Sequence, residues 1–214
     1  MSNQRNSVRI IGGRWRGRKL GFPSFDDLRP TGDRARETLF NWLAGRIEGS
    51  RCLDLFAGSG CLGFEALSRG AATVTFVELR TPVVTQLRAE WARLTASDAE
   101  GLGTARFERM DARAWLARQP PAPAVDIAFL DPPFAAGLLP ALLPALAPLL
   151  APDARVYVER PNMQPAPPLP AGWTLARESR TGSVTMCLYA VAFAGDGGMK
   201  QEGNGGADEG TPED

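Results

Sequence analysis

Residues 53–60, Leu53-Asp54-Leu55-Phe56-Ala57-Gly58-Ser59-Gly60, place a carboxylate and two glycines directly after a strand-like apolar run. With Gly63 they match the spacing G-x-G-x-x-G, and Glu78 closes the next apolar run, Thr73 to Glu78. That pattern is shared by dinucleotide-binding folds, in which the glycine loop faces a pyrophosphate. Asp54 argues against a dinucleotide, because a carboxylate just ahead of the glycines would repel a pyrophosphate. S-adenosylmethionine has no phosphate, and its ammonium and sulfonium charges favour an anion. The glycines are expected to let the backbone approach the methionine moiety closely, and Glu78 to accept hydrogen bonds from two ribose hydroxyls. The cofactor set is therefore Asp54, Phe56, Gly58, Ser59, Gly60 and Glu78. Taken singly, Asp54 is equally compatible with capping a helix and Glu78 with ending a strand; the ordered set of strand, glycine loop, helix, strand and acid favours the pocket.

A second loop, Asp131-Pro132-Pro133-Phe134, follows the apolar run Val125 to Leu130. Proline lacks an N–H, so the loop presents mainly acceptors, the Asp131 carboxylate and the Pro132 carbonyl. Acceptors suit an exocyclic amine. A nucleobase amine is a poor nucleophile because its lone pair is delocalised into the ring; holding both N–H bonds favours a pyramidal nitrogen whose lone pair points at a methyl donor. Phe134 is placed to stack on the base. An Asp-Pro turn is common in itself, but this one follows a buried strand end, where open α/β sheets bind ligands.

The chain has 214 residues, 44% of them hydrophobic, enough for one substantial core. No apolar run approaches the length of a membrane span, and the Asn- and Arg-rich start lacks a signal peptide's apolar core, so a cytoplasmic, monomeric protein is expected. There is no histidine, and Cys52, Cys61 and Cys187 lack Cys-x-x-Cys spacing. His-based triads and most zinc sites are excluded, no metal is expected, and the cysteines are core residues or spectators.

A formal net charge of zero hides an asymmetry. Residues 1–51 carry eleven basic against five acidic residues, a net of +6, whereas residues 196–214 carry six acids against Lys200, a net of −5. The glycine-rich acidic tail, 195–214, has too little apolar content to order itself by burial and is expected to be disordered. Two alternating runs, Ser7 to Ile11 and Arg14 to Leu20, meet at Gly12-Gly13, which predicts a hairpin within a basic extension over residues 1–28. Arg14, Arg16 and Arg18 would share one face beside Lys19, with Trp15 on the other, packing beneath or stacking on a base. Arginine's planar fork matches phosphate oxygens, which points to RNA.

The rest alternates. A helix over Asp33 to Leu43 is capped by Thr31 or Asp33, and further helices are expected near residues 60–69, 81–96 and 112–118, the last capped by Asp111. Strands are expected at 51–56, 73–78, 105–108, 125–130 and 155–159, with an antiparallel pair at Trp173 to Ser179 and Val184 to Phe193. Pro140, Pro144 and Pro148 should kink or split the Leu/Ala-rich helix after the second loop. Strands separated by helices imply an α/β fold with a mostly parallel sheet covered on both faces, over residues 29–194.

The chain resembles the RsmD family of bacterial methyltransferases, which modify a guanine N2 in 16S ribosomal RNA. The resemblance is carried by residues 9–20, by Arg29-Pro30-Thr31 with Asp33-Arg34 and residues 36–43, by the glycine loop continuing to Glu65-Ala66-Leu67-Ser68-Arg69, and by Asp131-Pro132-Pro133-Phe134. It spans residues 8 to 193. It implies a class I S-adenosylmethionine-dependent methyltransferase (Rossmann-like) fold, a seven-stranded sheet with the last strand antiparallel. It implies that Asp54 and the Gly58 to Gly60 loop hold the methionine part of the cofactor, Glu78 the ribose, Asp111 and the Ala112 backbone the adenine, and Asp131 to Phe134 the guanine amine. Arg29 and Arg34 would border the site, and the partner would be 16S rRNA or the 30S subunit. Leu79-Arg80 stands where an acid often follows the ribose-binding Glu, which makes the adenine rim more basic. Two other readings remain open: adenine N6 methylation on DNA or RNA, and an RNA-binding or assembly module with little catalysis.

Overall fold

Strands and helices alternate as the hydrophobic pattern requires, and a computed structural model describes residues 6–23, 32–96, 100–133 and 137–192. In chain order the elements are β1 (Asn6–Arg9), β2 (Lys19–Phe22), α1 (Asp33–Trp42), β3 (Arg51–Asp54), α2 (Cys61–Ser68), β4 (Thr73–Glu78), α3 (Thr81–Thr95), β5 (Thr104–Arg109) and α4 (Ala112–Arg118). Then follow β6 (Val125–Leu130), α5 (Leu139–Leu146), β7 (Leu150–Pro161), β8 (Trp173–Thr181) and β9 (Val184–Val191). The acidic tail, Arg29 and Phe134 lie outside the described residues.

Seven strands form one sheet in the order β5-β4-β3-β6-β7-β9-β8, and β1 pairs with β2 in a separate hairpin. β5, β4, β3, β6 and β7 are parallel, while β9 runs antiparallel to both β7 and β8. From β3 the chain builds outward through β4 and β5, then returns to lay β6 and β7 on the other side. Order therefore reverses between β3 and β6, and the loops leaving these two strands flank the crevice in which such sheets bind ligands. Phe40, Phe64, Phe76, Phe129 and Tyr157 fill the core under α1, α2 and α3. Leu53, Val77, Leu130, Leu142 and Val158 fill the core under α4 and α5.

α2 is buried on every side, from Cys61 to Ser68. It lies so close to the sheet that a Cβ on Gly63 would stand 2.2 Å from the Phe76 ring. Its one carboxylate, Glu65, is fully buried and collects three partners. Glu65 accepts from the Ile11 N–H at 2.8 Å and from Arg69 Nε at 2.8 Å, and pairs with the buried Arg36 of α1 at 3.6 Å. Arg36 also donates to the Arg9 carbonyl and to Asp33. Hairpin, α1 and α2 are thus tied at one buried charge.

The hairpin forms, but with a longer turn than the alternation of Arg14 to Leu20 predicts. β2 begins only at Lys19, and residues 10–18 make a loop closed by Ile10 N–H to the Arg18 carbonyl (2.9 Å) and Gly17 N–H to the Ile10 carbonyl (2.8 Å). The reason is docking onto the end of α2. Arg14 N–H donates to the Ser68 carbonyl, Trp15 N–H to Ser68 Oγ, and Ser68 Oγ to the Gly12 carbonyl. Gly13 has φ +71°, and a Cβ there would lie 1.8 Å from the Ser68 carbonyl oxygen. Trp15, 1% exposed, is driven into the core against Trp91. Arg14, Arg16 and Arg18 therefore do not share a strand face.

Two helix details differ in kind. α1 is preceded by Gly32, with no side-chain cap; Asp33 occupies its first turn and binds Arg36 instead, and Thr31 lies outside the described residues. α5 takes Pro140 in its first turn and continues through Pro144 without the expected split, and a 3₁₀ turn, Ala147–Leu149, takes over at Pro148. Removing Glu65 strands the buried Arg36 guanidinium beside a vacated site. Glu65→Ala is expected to cost about 3–5 kcal/mol in urea unfolding, whereas Arg46→Ala, which breaks the exposed Arg46–Asp153 pair, costs less than about 1.

Candidate active site

Strand register decides which loop residues meet. Asp54, the last residue of β3, is opposite Phe76 of β4 and Phe129 of β6. Side chains alternate along a strand, so Glu78, two beyond Phe76, and Asp131, two beyond Phe129, emerge on the face that bears Asp54. Three carboxylates from separate segments thus line one edge of one sheet face.

Asp54 is 3% exposed and accepts from the Gly63 N–H at 3.2 Å, so it organises the glycine loop from beneath. Burial pushes its carboxyl up to about 7, with the Glu78 charge acting in the same direction against the loop's N–H groups. Glu78 is half-buried at the mouth. Its two oxygens accept from the Gly58 N–H (3.1 Å) and the Arg80 N–H (2.9 Å), which hold the carboxylate in one orientation. Asp111 caps α4, accepting from Arg113 N–H at 3.0 Å and Ala114 N–H at 3.1 Å, with Ala112 buried beside it. The Met110 N–H donates to the Glu78 carbonyl, tying the end of β5 to that of β4.

The glycines serve packing more than clearance. Gly60 has φ +75°, and a Cβ there would lie 2.5 Å from Leu87 and 2.7 Å from Phe64; Gly63 approaches Phe76 in the same way. At these two positions protein, rather than ligand, fills the space. Gly58 has φ +48° and is half-buried with Phe56, while Ser59 is buried. Across the crevice Asp131 is half-buried, Pro132 buried and Pro133 exposed.

Tyr157 and Glu159, which nothing in the sequence marks, reach the same edge. Tyr157 pairs with Phe129 across the sheet and donates its hydroxyl to Glu159 Oε1 at 2.7 Å. Both are buried, at 0% and 5% exposure. Burial and the Glu159 and Asp131 charges hold the Tyr157 hydroxyl well above its ordinary value. In the sequence Glu159 is merely the polar end of an apolar run.

Residues 8–190 match the family described as Conserved hypothetical protein 95, the RsmD family. The Ribosomal RNA small subunit methyltransferase D of Escherichia coli K12 is 47% identical over 191 residues, which cover 88% of this chain and 92% of that protein. That of Haemophilus influenzae is 44% identical over 189 residues, 87% and 95% of the two chains. The solved Escherichia coli protein yhhF, described as a methyltransferase, superposes with a TM-score of 0.76 at 43% identity, covering 87% and 99%. The chain belongs to the RsmD family.

In this RsmD-family chain the basic residues of the hairpin lie far from the crevice. Arg14 donates to the Glu100 carbonyl, beyond the end of α3, while Arg18 donates to the Leu94 carbonyl and Lys19 accepts through its carbonyl from Arg93, both in the last turn of α3. α3 starts just after Glu78, and its 15 residues span about 22 Å. Arg14, Arg16, Arg18 and Lys19 are thus a helix length from Glu78, and Arg34 is exposed on the first turn of α1. Buried Trp15 has no free face for a base. The three cysteines are buried, and burial raises the thiols of Cys52 and Cys61 to about 12, which leaves them inert. No helix among the described residues is long and apolar enough to cross a membrane.

The Asp54 carboxyl titrates near 3.8 when unfolded and near about 7 when folded. Between those values the folded chain keeps a proton that the unfolded chain has released. Its stabilising contribution is complete below about pH 4 and is lost as the pH rises through about 7. Ligand-free protein should lose stability over that interval, by on the order of a few kcal/mol, and Asp54→Asn should flatten the slope. Urea unfolding at a series of pH values measures both.

Proposed function

We propose that this protein methylates the N2 amine of a guanine in 16S ribosomal RNA, using S-adenosylmethionine, in the bacterial cytoplasm. One observation carries the reading. An anionic loop pair, Asp54 and Glu78, and an acceptor loop, Asp131-Pro132, leave neighbouring parallel strands on one face, in a chain 44–47% identical to proteins named Ribosomal RNA small subunit methyltransferase D.

The residues present fit that cofactor. A pyrophosphate in the crevice would face Glu78 with Asp54 beneath the loop, whereas the ammonium and sulfonium charges of this cofactor would complement both and favour the ionised form of Asp54, whose carboxyl burial raises to about 7. Asp54 lends its charge through the loop it organises, the oriented Glu78 carboxylate suits vicinal hydroxyls, and the end of β5 at Asp111 and Ala112 forms the adenine side. When bound, S-adenosylmethionine supplies an electrophilic methyl group and its leaving group.

On the other side, Asp131 and the Pro132 carbonyl hold the two amine hydrogens and turn the nitrogen lone pair towards the crevice. Catalysis comes from this positioning and from hydrogen bonds that strengthen as the nitrogen gains positive charge. Guanine N2 needs no strong base before attack; its proton turns acidic only once the methyl group has arrived, and the Asp131 carboxylate is placed to accept it. The guanine must leave its stack to enter, which costs a few kcal/mol and least in a loop or bulge. Arg14, Arg16, Arg18 and Lys19, a helix length away, would then touch backbone phosphates remote from the flipped base.

The test is transfer of labelled methyl to small subunits lacking their native guanine-N2 methylation, with naked 16S RNA and duplex DNA in parallel, followed by nucleoside analysis. The expected product is N2-methylguanosine. Asp131→Ala should lower kcat by about 100-fold or more with cofactor affinity unchanged. Label in N6-methyladenine would transfer the assignment to adenine, and no label despite tight cofactor binding would indicate a non-catalytic module.

A further inference from the structure

Guanine carries three N–H donors along its amine edge, N1–H and the two N2 hydrogens, whereas Asp131 and the Pro132 carbonyl provide acceptors for two. Adenine differs on that edge, where N1 is itself an acceptor. An acceptor beside the first two that meets N1 would tell the two bases apart.

β7 supplies one. Leu130, the last residue of β6, pairs with Val158 of β7, so Asp131 leaves the sheet beside Glu159 of the longer β7, where neighbouring strands lie about 4.8 Å apart. Both follow the parity of Phe129 and Tyr157 and emerge on the same face. Glu159 is 5% exposed, and its Oε1 is oriented by the Tyr157 hydroxyl at 2.7 Å. A carboxylate accepts at about four positions, so holding Tyr157 is compatible with receiving an N–H from a base. Its burial also makes a mismatched partner costly, because an acceptor of the base facing a desolvated carboxylate has no water to separate them.

We propose that Glu159 selects guanine by accepting its N1–H. The inference rests on the guanine-N2 reading above and deepens it: the carboxylate that satisfies N1–H of guanine would confront the N1 lone pair of adenine and exclude it. Glu159 is a specificity residue, and Tyr157 positions it.

The test compares methyl transfer to the target guanine with transfer to 2-aminopurine placed at the same position, for the wild type, Glu159→Gln and Tyr157→Phe. 2-Aminopurine keeps the 2-amino group but has an N1 acceptor. The wild type should prefer guanine, and Glu159→Gln, whose amide donates to that acceptor, should reduce the preference in kcat/KM by on the order of 10–100-fold or invert it. Tyr157→Phe keeps the acceptor but releases its orientation, and should lower the preference less than Glu159→Gln does. Equal losses on the two bases in Glu159→Gln, with cofactor affinity intact, would overturn the role of Glu159. Failure of the wild type to methylate the guanine would overturn the reading on which it rests, and the selection role with it.

Discussion

The Glu65 carboxylate is the interaction on which the surrounding architecture depends. It sits at 0% exposure in a helix buried on all sides, where an ionised group persists only if fully partnered. Its partners come from three places: the backbone of the hairpin loop at Ile11, Arg36 of α1 and Arg69 of its own helix. Arg69 in turn lies 5.0 Å over the Phe40 ring, so the charge network is continuous with the aromatic core. These demands leave α2 one position on the sheet, with Gly63 against Phe76. That placement sets the start of α2, and with it the loop whose N–H groups Asp54 and Glu78 hold.

A second constraint follows at the other end of the same helix. A parallel sheet brings the ends of β3, β4, β6 and β7 to one edge, and the alternation of side chains puts Asp54, Glu78, Asp131 and Glu159 on one face of it. Burial, with the Glu78 charge acting in the same direction, raises the Asp54 carboxyl. That edge is rich in acceptors, which is what the proposed cofactor and base would require. The basic hairpin lies about a helix length away, against the C-terminal ends of α2 and α3, so its arginines take no part in that edge.

Much of this was legible in the residues themselves. Strand and helix order, the loops at Asp54 and Asp131, the Asp111 cap and the 3₁₀ turn at Pro148 all follow from local rules, in which a glycine, a proline or a capping acid acts within a few residues of itself. The hairpin turn is longer than the alternation of Arg14 to Leu20 implies, because that alternation is a sound strand signal until Trp15 finds a core to enter. Glycine spacing of this kind suggests clearance for a ligand, whereas at Gly60 and Gly63 the space is taken by Leu87, Phe64 and Phe76.

The sequence by itself determined the fold class, the two loops and the chemistry that their residue types permit, because each depends on periodicity and on the intrinsic properties of neighbouring residues. Only the tertiary structure decided that Asp54, Glu78 and Asp131 share a face, that Glu159 joins them, and that the hairpin arginines do not. Those outcomes depend on strand register and helix docking. Both are set by contacts between residues distant along the chain, such as Ile11 with Glu65 and Phe129 with Tyr157, and no local pattern encodes them.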